Sequence, residues 1–245
     1  MWGNRGGNRR PNVYLSLFAW LLPNSRIKTW ILRRLGNEIG NEVVLGPCFV
    51  VNCGRFVIAD KAVIFPRNAF KNLAMVKLGY GALIGQLNQF TAAPEYQQYS
   101  DRAGCLLMGE QSAFTNRHYV DCSGQVILRP YGVVGGVRSI VQTHQIDLKG
   151  NKTTVGKVVI DENAISLTAC VLLKDSYLPP RSVLGAHSLL MKPSPDDELK
   201  SGLYAGNPAK FVHEIDEFTW WGRETWLTGV VDCDDSMLEP VDTKA

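Results

Sequence analysis

Residues 158–190, VVIDENAISLTACVLLKDSYLPPRSVLGAHSLL, decide the fold of this chain. From Ile160 to Leu190 every sixth position is apolar except Ser166. An amphipathic helix has a period of about 3.6 residues and a half-buried strand a period of about 2, so neither accounts for this spacing. The spacing predicts a solenoid in which each hexapeptide forms one short strand with one inward side chain. Three hexapeptides then complete one coil, and the coils stack by parallel pairing.

The same spacing extends toward the N-terminus in shorter registers. The further predicted inward residues are Ile39, Leu45, Val51, Val57, Val63, Ala69, Leu78, Ile84, Phe90, Met108, Phe114, Val120, Val126, Leu128, Val134 and Ile140. Together with the six positions from Ile160 to Leu190 they make 22 inward positions, of which 21 are apolar. Glycine follows the inward residue at positions 40, 46, 79, 85, 109 and 185. Polar stretches near 94–104 and 145–157 interrupt the repeat, and we expect them to project as loops, where functional residues concentrate. The repeat predicts about seven coils of about 18 residues.

Composition and charge limit the function. The 245 residues are 45% apolar with a formal net charge of +3, which indicates a folded globular chain. Residues 1–36 carry seven Lys or Arg and no acid, whereas residues 213–245 carry nine acids against Arg223 and Lys244. The body between them is nearly neutral, which argues against nucleic-acid binding. The six cysteines show no paired spacing, which favours reduced, buried thiols in a cytoplasmic protein.

The chain divides into one repeat domain with two ends. We predict a basic amphipathic cap over 1–36, a β-helix over 37–192, and a helical cap with an acidic tail over 193–245. Within the last, Asp196–Leu203 is expected to form a short helix and Pro208–Trp226 a second amphipathic segment that closes the solenoid. The apolar and basic residues of the N-terminal cap fit two uses: packing on the first coil, or contact with the inner face of the cytoplasmic membrane. For Trp220, Trp221 and Trp226, packing on a neighbouring subunit and packing on a sugar both stay open.

Three motifs carry a resemblance to a known family. They are Thr143-His-Gln-Ile-Asp147, Leu184-Gly-Ala-His-Ser-Leu-Leu190 and Tyr204-Ala-Gly-Asn-Pro-Ala-Lys210. With the six-residue repeat they resemble the hexapeptide-repeat acyltransferases, and most closely the sugar O-acetyltransferases of the colanic-acid and capsule type, over about residues 37–213. The resemblance implies a left-handed parallel β-helix, a homotrimer, and acetyl-CoA bound in clefts between subunits. Ser166, Pro179 and His187 depart from the family pattern.

The resemblance also implies a set of site residues. His144 would be the general base that takes the proton of the acceptor hydroxyl, and Asn116 would contact the substrate, its alternative role being to stabilise a turn. Gln145 stands where the family often has an acid, so we expect a backbone carbonyl to orient the His144 ring. Residues implied to bind acetyl-CoA are Ser166, Ala186, Ser188, Lys192 and Lys210. The alternative for the two lysines is a solvated side chain without a ligand.

The resulting hypothesis is an acetyl-CoA-dependent O-acetyltransferase in surface polysaccharide biosynthesis. Acetyl would pass directly to the hydroxyl of a saccharide or lipid-linked glycan in a ternary complex. No metal is expected, because the four histidines are at least 26 residues apart. N-acetylation of an amino sugar or other small acceptor on the same scaffold stays open, as does a non-catalytic solenoid that organises glycan synthesis.

Overall fold

The computed structural model describes residues 10–215 and 217–226, and within them three parallel sheets form the walls of a prism. Sheet A contains, in spatial order, β1 (Glu38–Ile39), β4 (Arg55–Ile58), β7 (Met75–Leu78), β10 (Cys105–Met108), β13 (Gln125–Leu128), β18 (Lys157–Ile160) and β21 (Tyr177–Leu178). Sheet B contains β2 (Val44–Leu45), β5 (Val63–Ile64), β8 (Leu83–Ile84), β11 (Ala113–Asn116), β14 (Val133–Val137), β19 (Ile165–Ser166), β22 (Val183–Leu184), β24 (Leu203–Gly206) and β25 (Ala209–His213). Sheet C contains β3 (Phe49–Val51), β6 (Ala69–Lys71), β9 (Gln89–Thr91), β12 (Tyr119–Asp121), β15 (Ile140–Val141), β20 (Val171–Leu172) and β23 (Leu189–Leu190).

The chain passes through sheets A, B and C in turn, and seven such circuits make a left-handed parallel β-helix. The predicted fold class is therefore confirmed. The coil length departs from the prediction, because Ile58 pairs with Leu78 and Met108 with Leu128, a step of 20 residues. Only toward the C-terminus does the step fall to 18, where Ile160 pairs with Leu178. The cause lies in sheet A, whose longer strands point two side chains inward, such as Phe56 and Ile58 in β4.

The predicted inward positions are right over most of the repeat and wrong by one residue at five places. Most of them, from Leu78 to Val134 and from Ile160 to Leu190, are buried. Five are not: Val51, Val57, Val63, Ala69 and Ile140 are half-buried or exposed, and Val50, Phe56, Ile64, Phe70 and Val141 beside them fill the interior. A strand alternates its side chains between two faces, so a register error of one residue moves a side chain from inside to outside.

The glycines that follow inward residues allow successive coils to approach closely at the corners. A Cβ added at Gly46 would lie 2.5 Å from the backbone nitrogen of Pro66, and one at Gly79 would lie 2.6 Å from that of Glu110. Backbone atoms cannot move away as a flexible side chain can, so only glycine fits there. His187, at φ 59°, occupies a corner in the left-handed region that glycine adopts without strain.

Two helices cover the N-terminal opening of the prism, α1 (Val13–Leu21) and α2 (Arg26–Arg34). Neither is long and apolar enough to cross a membrane, nor is any other helix among the described residues. Trp20 of α1 is fully buried and starts a column of aromatic rings along the prism axis. Its ring centroid lies 4.6 Å from that of Phe56, and Phe70, Phe90 and Phe114 continue the column at spacings of 5.5, 4.9 and 5.3 Å.

Lys28 of α2 holds this cap on the first coil. Its side chain is fully buried, and Nζ donates to the carbonyl oxygens of Trp20, Leu22 and Gly46 at 2.8, 2.9 and 2.8 Å. Burial lowers the pKa of Lys28 to about 8. The three acceptors belong to the end of α1, the following turn and the first coil, so one ammonium group joins the cap to the β-helix.

The C-terminal end differs from the helical cap we expected. Residues 196–202 form no helix and are mostly irregular, Leu203 begins β24, and β24 and β25 make an antiparallel hairpin that extends sheet B. Tyr204 of β24 closes the interior at this end, with its ring 5.7 Å from that of Phe211. The hairpin succeeds as a cap because it pairs with the last coil strand β22, which would otherwise be an open sheet edge.

The described residues after this hairpin run back along the outer face of sheet B. A 3₁₀ helix at Thr219–Gly222 brings Trp220 near Val133 and Ile165, and Trp226 packs on the same cluster. Arg223 donates to Asn163 and to the carbonyl of Tyr131, and its guanidinium lies 3.2 Å from the centroid of the Trp220 ring. Trp220 and Trp226 thus cover this chain's own sheet. The predicted acidic tail lies mostly in 227–245, outside the described residues.

Candidate functional site

Both insertions leave the β-helix at the edge where sheet C turns into sheet A. The first follows β9 and contains a 3₁₀ helix at Pro94–Gln98. The second follows β15 and forms an antiparallel hairpin of β16 (His144–Asp147) and β17 (Lys152–Val155). His144 stands at the base of this hairpin, paired with Val155, and its ring centroid is 6.1 Å from that of Tyr96 in the first insertion. The predicted loops thus converge on the predicted base.

A carboxylate orients the His144 ring. Asp121, the last residue of β12, places Oδ2 2.8 Å from His144 Nδ1. Our expectation that a backbone carbonyl would orient the ring was therefore wrong. Thr91, Asp121 and Gln142 lie side by side on neighbouring coils, so β12 delivers a carboxylate to the position from which the hairpin rises.

Hydrogen bonds stabilise the ionised form of the Asp121 carboxylate. Its Oδ2 accepts hydrogen bonds from the Thr143 backbone N–H and from the Thr143 hydroxyl, both at 2.8 Å, and its Oδ1 accepts from the N–H and hydroxyl of Ser123, at 3.1 and 2.5 Å. Burial acts to raise the pKa of Asp121, but the hydrogen bonds from Ser123, His144 and Thr143 outweigh it and leave the pKa below its ordinary value.

The ionised carboxylate fixes the protonation of the neutral ring. Asp121 can only accept at Oδ2, so His144 Nδ1 carries the hydrogen and Nε2 keeps its lone pair. No described residue hydrogen-bonds to Nε2, and the His144 side chain is 37% exposed. A substrate proton can therefore reach a basic nitrogen held in one orientation.

His144 opens onto a groove of about 230 Å³ on the outer face of sheet C. The alternation of the strands β9, β12 and β15 points Phe90, Val120 and Val141 inward and their neighbours outward. The outward side chains that line the groove are Gln89, Thr91, Tyr119, Asp121, Ile140 and Gln142. The groove therefore offers amide, hydroxyl and phenol groups beside the His144 ring, together with apolar surface from Tyr119 and Ile140, a combination that suits a ligand with hydroxyl or amino groups on a carbon skeleton.

Asn116 is placed away from this groove. It ends β11 at the edge where sheet B turns into sheet C, and β12 separates it from the edge that carries His144. Its Oδ1 accepts the backbone N–H of Gln86 at 2.6 Å, so the amide supports a corner of the neighbouring coil. Within one chain, Asn116 and His144 thus lie at opposite edges of sheet C.

The predicted cofactor residues fall into three places. Ser166 is fully buried in the interior with its hydroxyl unpaired, so its side chain is not positioned to touch a ligand. Ala186 is exposed at the edge between sheets B and C, where Ser188 Oγ accepts the Gly206 N–H at 3.1 Å and so connects the hairpin that carries Lys210. Lys192 is exposed after β23 at the edge between sheets C and A, two coils beyond His144.

The other titratable candidates lie outside the groove. His118 is fully buried, and burial lowers its pKa to about 4. The five described cysteines are buried free thiols, as expected, and Cys233 lies outside the described residues. Burial raises the pKa of Cys53 to about 12 and of Cys105 to about 11, which suppresses the thiolate. No group of three or more His, Cys, Asp or Glu in the described part of the chain is placed to hold a metal ion.

Asp121 is the residue of the candidate site that the sequence motifs did not indicate. It lies 23 residues before His144, and no motif links the two positions. The sequence feature that could have indicated Asp121 is its position directly after the predicted inward residue Val120, one coil before His144. A side chain that follows an inward residue points outward, and stacking adds the proximity.

Three solved structures place the fold among known proteins. A mutant of AntD, an N-acyltransferase from Bacillus cereus, in complex with dTDP and coenzyme A, is 16% identical with a TM-score of 0.52, over 80% of this chain and 92% of that chain. A second AntD mutant in complex with the same two molecules is 14% identical with a TM-score of 0.50, also over 80% and 92%. The polysialic acid O-acetyltransferase OatWY is 13% identical over 73% of this chain and 88% of that chain, but its TM-score of 0.29 is too low to carry an argument.

No protein-family model matches the chain, and no curated protein matches it significantly. The chain therefore shares its β-helical fold with AntD at low sequence identity.

Proposed function

We propose that this protein is an acetyl-CoA-dependent acyltransferase that acetylates a saccharide hydroxyl in surface polysaccharide biosynthesis, of the colanic-acid and capsule type. The observation that carries the proposal is the His144–Asp121 pair, with its free Nε2 on an open groove. The motifs around His144 and Lys210 support it. The fold shared with AntD, an N-acyltransferase whose structure contains coenzyme A, supports the acyltransferase class.

His144 would act first as base and then as acid. Nε2 takes the proton of the acceptor hydroxyl while the hydroxyl oxygen attacks the thioester carbonyl of acetyl-CoA. The ionised Asp121 stabilises the imidazolium that forms. When the C–S bond breaks, the coenzyme A thiolate leaves, and the imidazolium returns the proton to sulfur. Acetyl passes directly to the acceptor, so none of the buried cysteines is needed as a nucleophile.

A homotrimer with the coenzyme between subunits would complete the site. His144 and Lys192 lie on one edge of sheet C, whereas Ala186, Ser188 and the hairpin that bears Lys210 lie on the other. A cleft in which these two edges face each other across a subunit boundary would bring the base and the coenzyme-binding groups together. Lys192 and Lys210 would then meet phosphates of the coenzyme.

Of the two alternatives, N-acetylation keeps support and the non-catalytic solenoid does not. An amino sugar in the same groove would also need a base, and AntD is an N-acyltransferase, so N-acetylation fits the same geometry. A non-catalytic solenoid would need no ionised carboxylate behind a solvent-accessible imidazole.

The test uses radiolabelled acetyl-CoA with a panel of saccharides and amino sugars. His144→Ala should lower transfer by about 10²- to 10⁴-fold. Asp121→Asn should lower it by about 10- to 100-fold, because one charge-assisted hydrogen bond contributes about 1.5–3 kcal/mol. Asp147→Asn, an acid-to-amide change on the same hairpin, should leave the rate unchanged. Full turnover by His144→Ala would refute the role of the base, and absence of acetyl-CoA binding in calorimetry would refute the enzyme class.

A further inference from the structure

The N-terminal cap has a second apolar face that the β-helix does not use. The inner side of α1 and α2 packs on the first coil through Ala19, Trp20 and Leu32, all fully buried. This contact already closes the prism. The terminal cap of a solenoid needs a polar outer side to stay soluble, so the outer side of this cap should be polar if capping were its whole role.

The outer side is instead apolar. Six large apolar side chains of the two helices are at least half exposed: Tyr14 82%, Leu15 57%, Phe18 62%, Leu21 50%, Ile27 68% and Trp30 58%. The four on α1 follow the 3.6-residue period and make one continuous stripe opposite Ser16, Ala19 and Trp20. We call the six residues the outer face.

The charged side chains of α1 and α2 are all positive, although Glu42 of the first coil lines the same cleft as Arg26 and Arg33. Residues 10–37 contain no Asp or Glu. Arg26 and Arg34 are exposed on α2 and form no ion pair with a carboxylate in the described ranges, whereas the Arg33 guanidinium donates to the carbonyl oxygens of Ile39 and Gly40 on the first coil. The Arg34 guanidinium lies 5.4 Å from the centroid of the Trp30 ring, so charge and apolar surface are adjacent.

We propose that the outer face is a docking surface for an anionic lipid bilayer. Large apolar side chains with Tyr and Trp among arginines suit the boundary between acyl chains and headgroups. A second copy of the chain would bring arginines against arginines, so charge favours lipid phosphate over self-association. Lys28 fixes the helices on the β-helix, so the surface is pre-formed. This inference goes beyond the proposed function and does not depend on it.

The test is flotation of the full chain with vesicles of phosphatidylcholine alone and of phosphatidylcholine with phosphatidylglycerol. We expect binding that needs the anionic lipid. Arg26→Gln with Arg34→Gln should weaken it about fivefold per arginine, since each basic residue near an anionic surface contributes about 1 kcal/mol. Leu15→Ser with Phe18→Ser should weaken it by about 10²- to 10⁴-fold, because each buried side chain contributes about 1.5–3 kcal/mol.

The matched control is Leu199→Ser with Val212→Ser, exposed apolar residues beyond the last coil, which should bind as the parent does. Circular dichroism confirms that each variant is folded. Absence of binding to either vesicle would overturn the proposal, as would equal binding by the Leu15/Phe18 variant. Self-association without lipid that this variant abolishes would also overturn it and assign the outer face to a second copy. Acetyl transfer to a soluble acceptor is measured separately, so either proposal can fail without the other.

Discussion

His118 should make the stability of the fold depend on pH below neutrality. The side chain is fully buried; Nδ1 accepts the Ser139 N–H at 3.1 Å, so in the neutral ring Nε2 carries the hydrogen and lies 3.0 Å from the Thr115 hydroxyl. A second proton on Nδ1 would face that N–H. Burial lowers the pKa to about 4 from an ordinary value of 6.5.

The direction and size of the effect follow from proton linkage. Between pH 6.5 and 4 the unfolded chain binds a proton at this histidine that the folded chain does not. The contribution of His118 to the free energy of unfolding is therefore fully present above pH 6.5. It is lost as the pH decreases from 6.5 to 4, by about 3 kcal/mol in total.

The informative variant is His118→Asn. Asn68 and Asn88 occupy the corresponding place in the two preceding coils, where the Asn68 Oδ1 accepts the Asn88 N–H and the Asn88 Oδ1 accepts the His118 N–H, at 2.8 and 2.9 Å. Asparagine can thus continue the ladder and does not titrate. Urea unfolding from pH 7 to 4 should show the parent losing about 3 kcal/mol more than the variant. His187→Asn, at an exposed corner, is the control. Parallel pH profiles for the parent and His118→Asn would refute the reasoning.

Two further predictions concern the interior and the cap. Phe70→Ala should lower the free energy of unfolding by about 3–5 kcal/mol, because it opens a cavity in the aromatic column. The control is Phe49→Ala, a half-exposed residue on β3, which should lower the free energy of unfolding far less. Equal losses for the two variants in chemical denaturation would contradict the stabilising role of the column. Lys28→Met should lower the free energy of unfolding by about 3 kcal/mol, because the carbonyl oxygens of Leu22 and Gly46 lose a charged hydrogen-bond donor in a buried place. The control is Lys71→Met, at an exposed lysine. An unchanged denaturation midpoint for Lys28→Met would refute the anchoring role.

The interior was predictable because burial leaves a periodic trace. The six-residue spacing alone predicts that Phe90, Phe114 and Leu172 point inward, and all three are buried. The errors at Val57 and Ile140 have different causes. At Val57 a sheet A strand points two residues, Phe56 and Ile58, inward. At Ile140 a register shift in β14 adds one residue before β15, and the sequence marks neither feature.

The candidate site was predictable only in part. His144 was recognised from its motif and from the break in the repeat. Asp121 was not, because its relation to His144 depends on which residues stack across coils, a distance of 23 positions along the chain. The placement of Asn116 at the opposite edge of sheet C likewise depends on the coil, since the edge that a residue occupies is set by its position within the circuit.

By itself, the sequence determined the solenoid, the two insertions and the histidine between them, because repeated burial and its interruption are visible in one dimension. The tertiary structure decided the rest. It supplied the carboxylate that orients His144, replaced the expected C-terminal helix with a hairpin that pairs with the last coil, and left the outer face of the N-terminal cap uncovered. The physical reason is shared by all three: each depends on which surfaces meet when coils stack, and stacking joins residues whose separation along the chain carries no local signal.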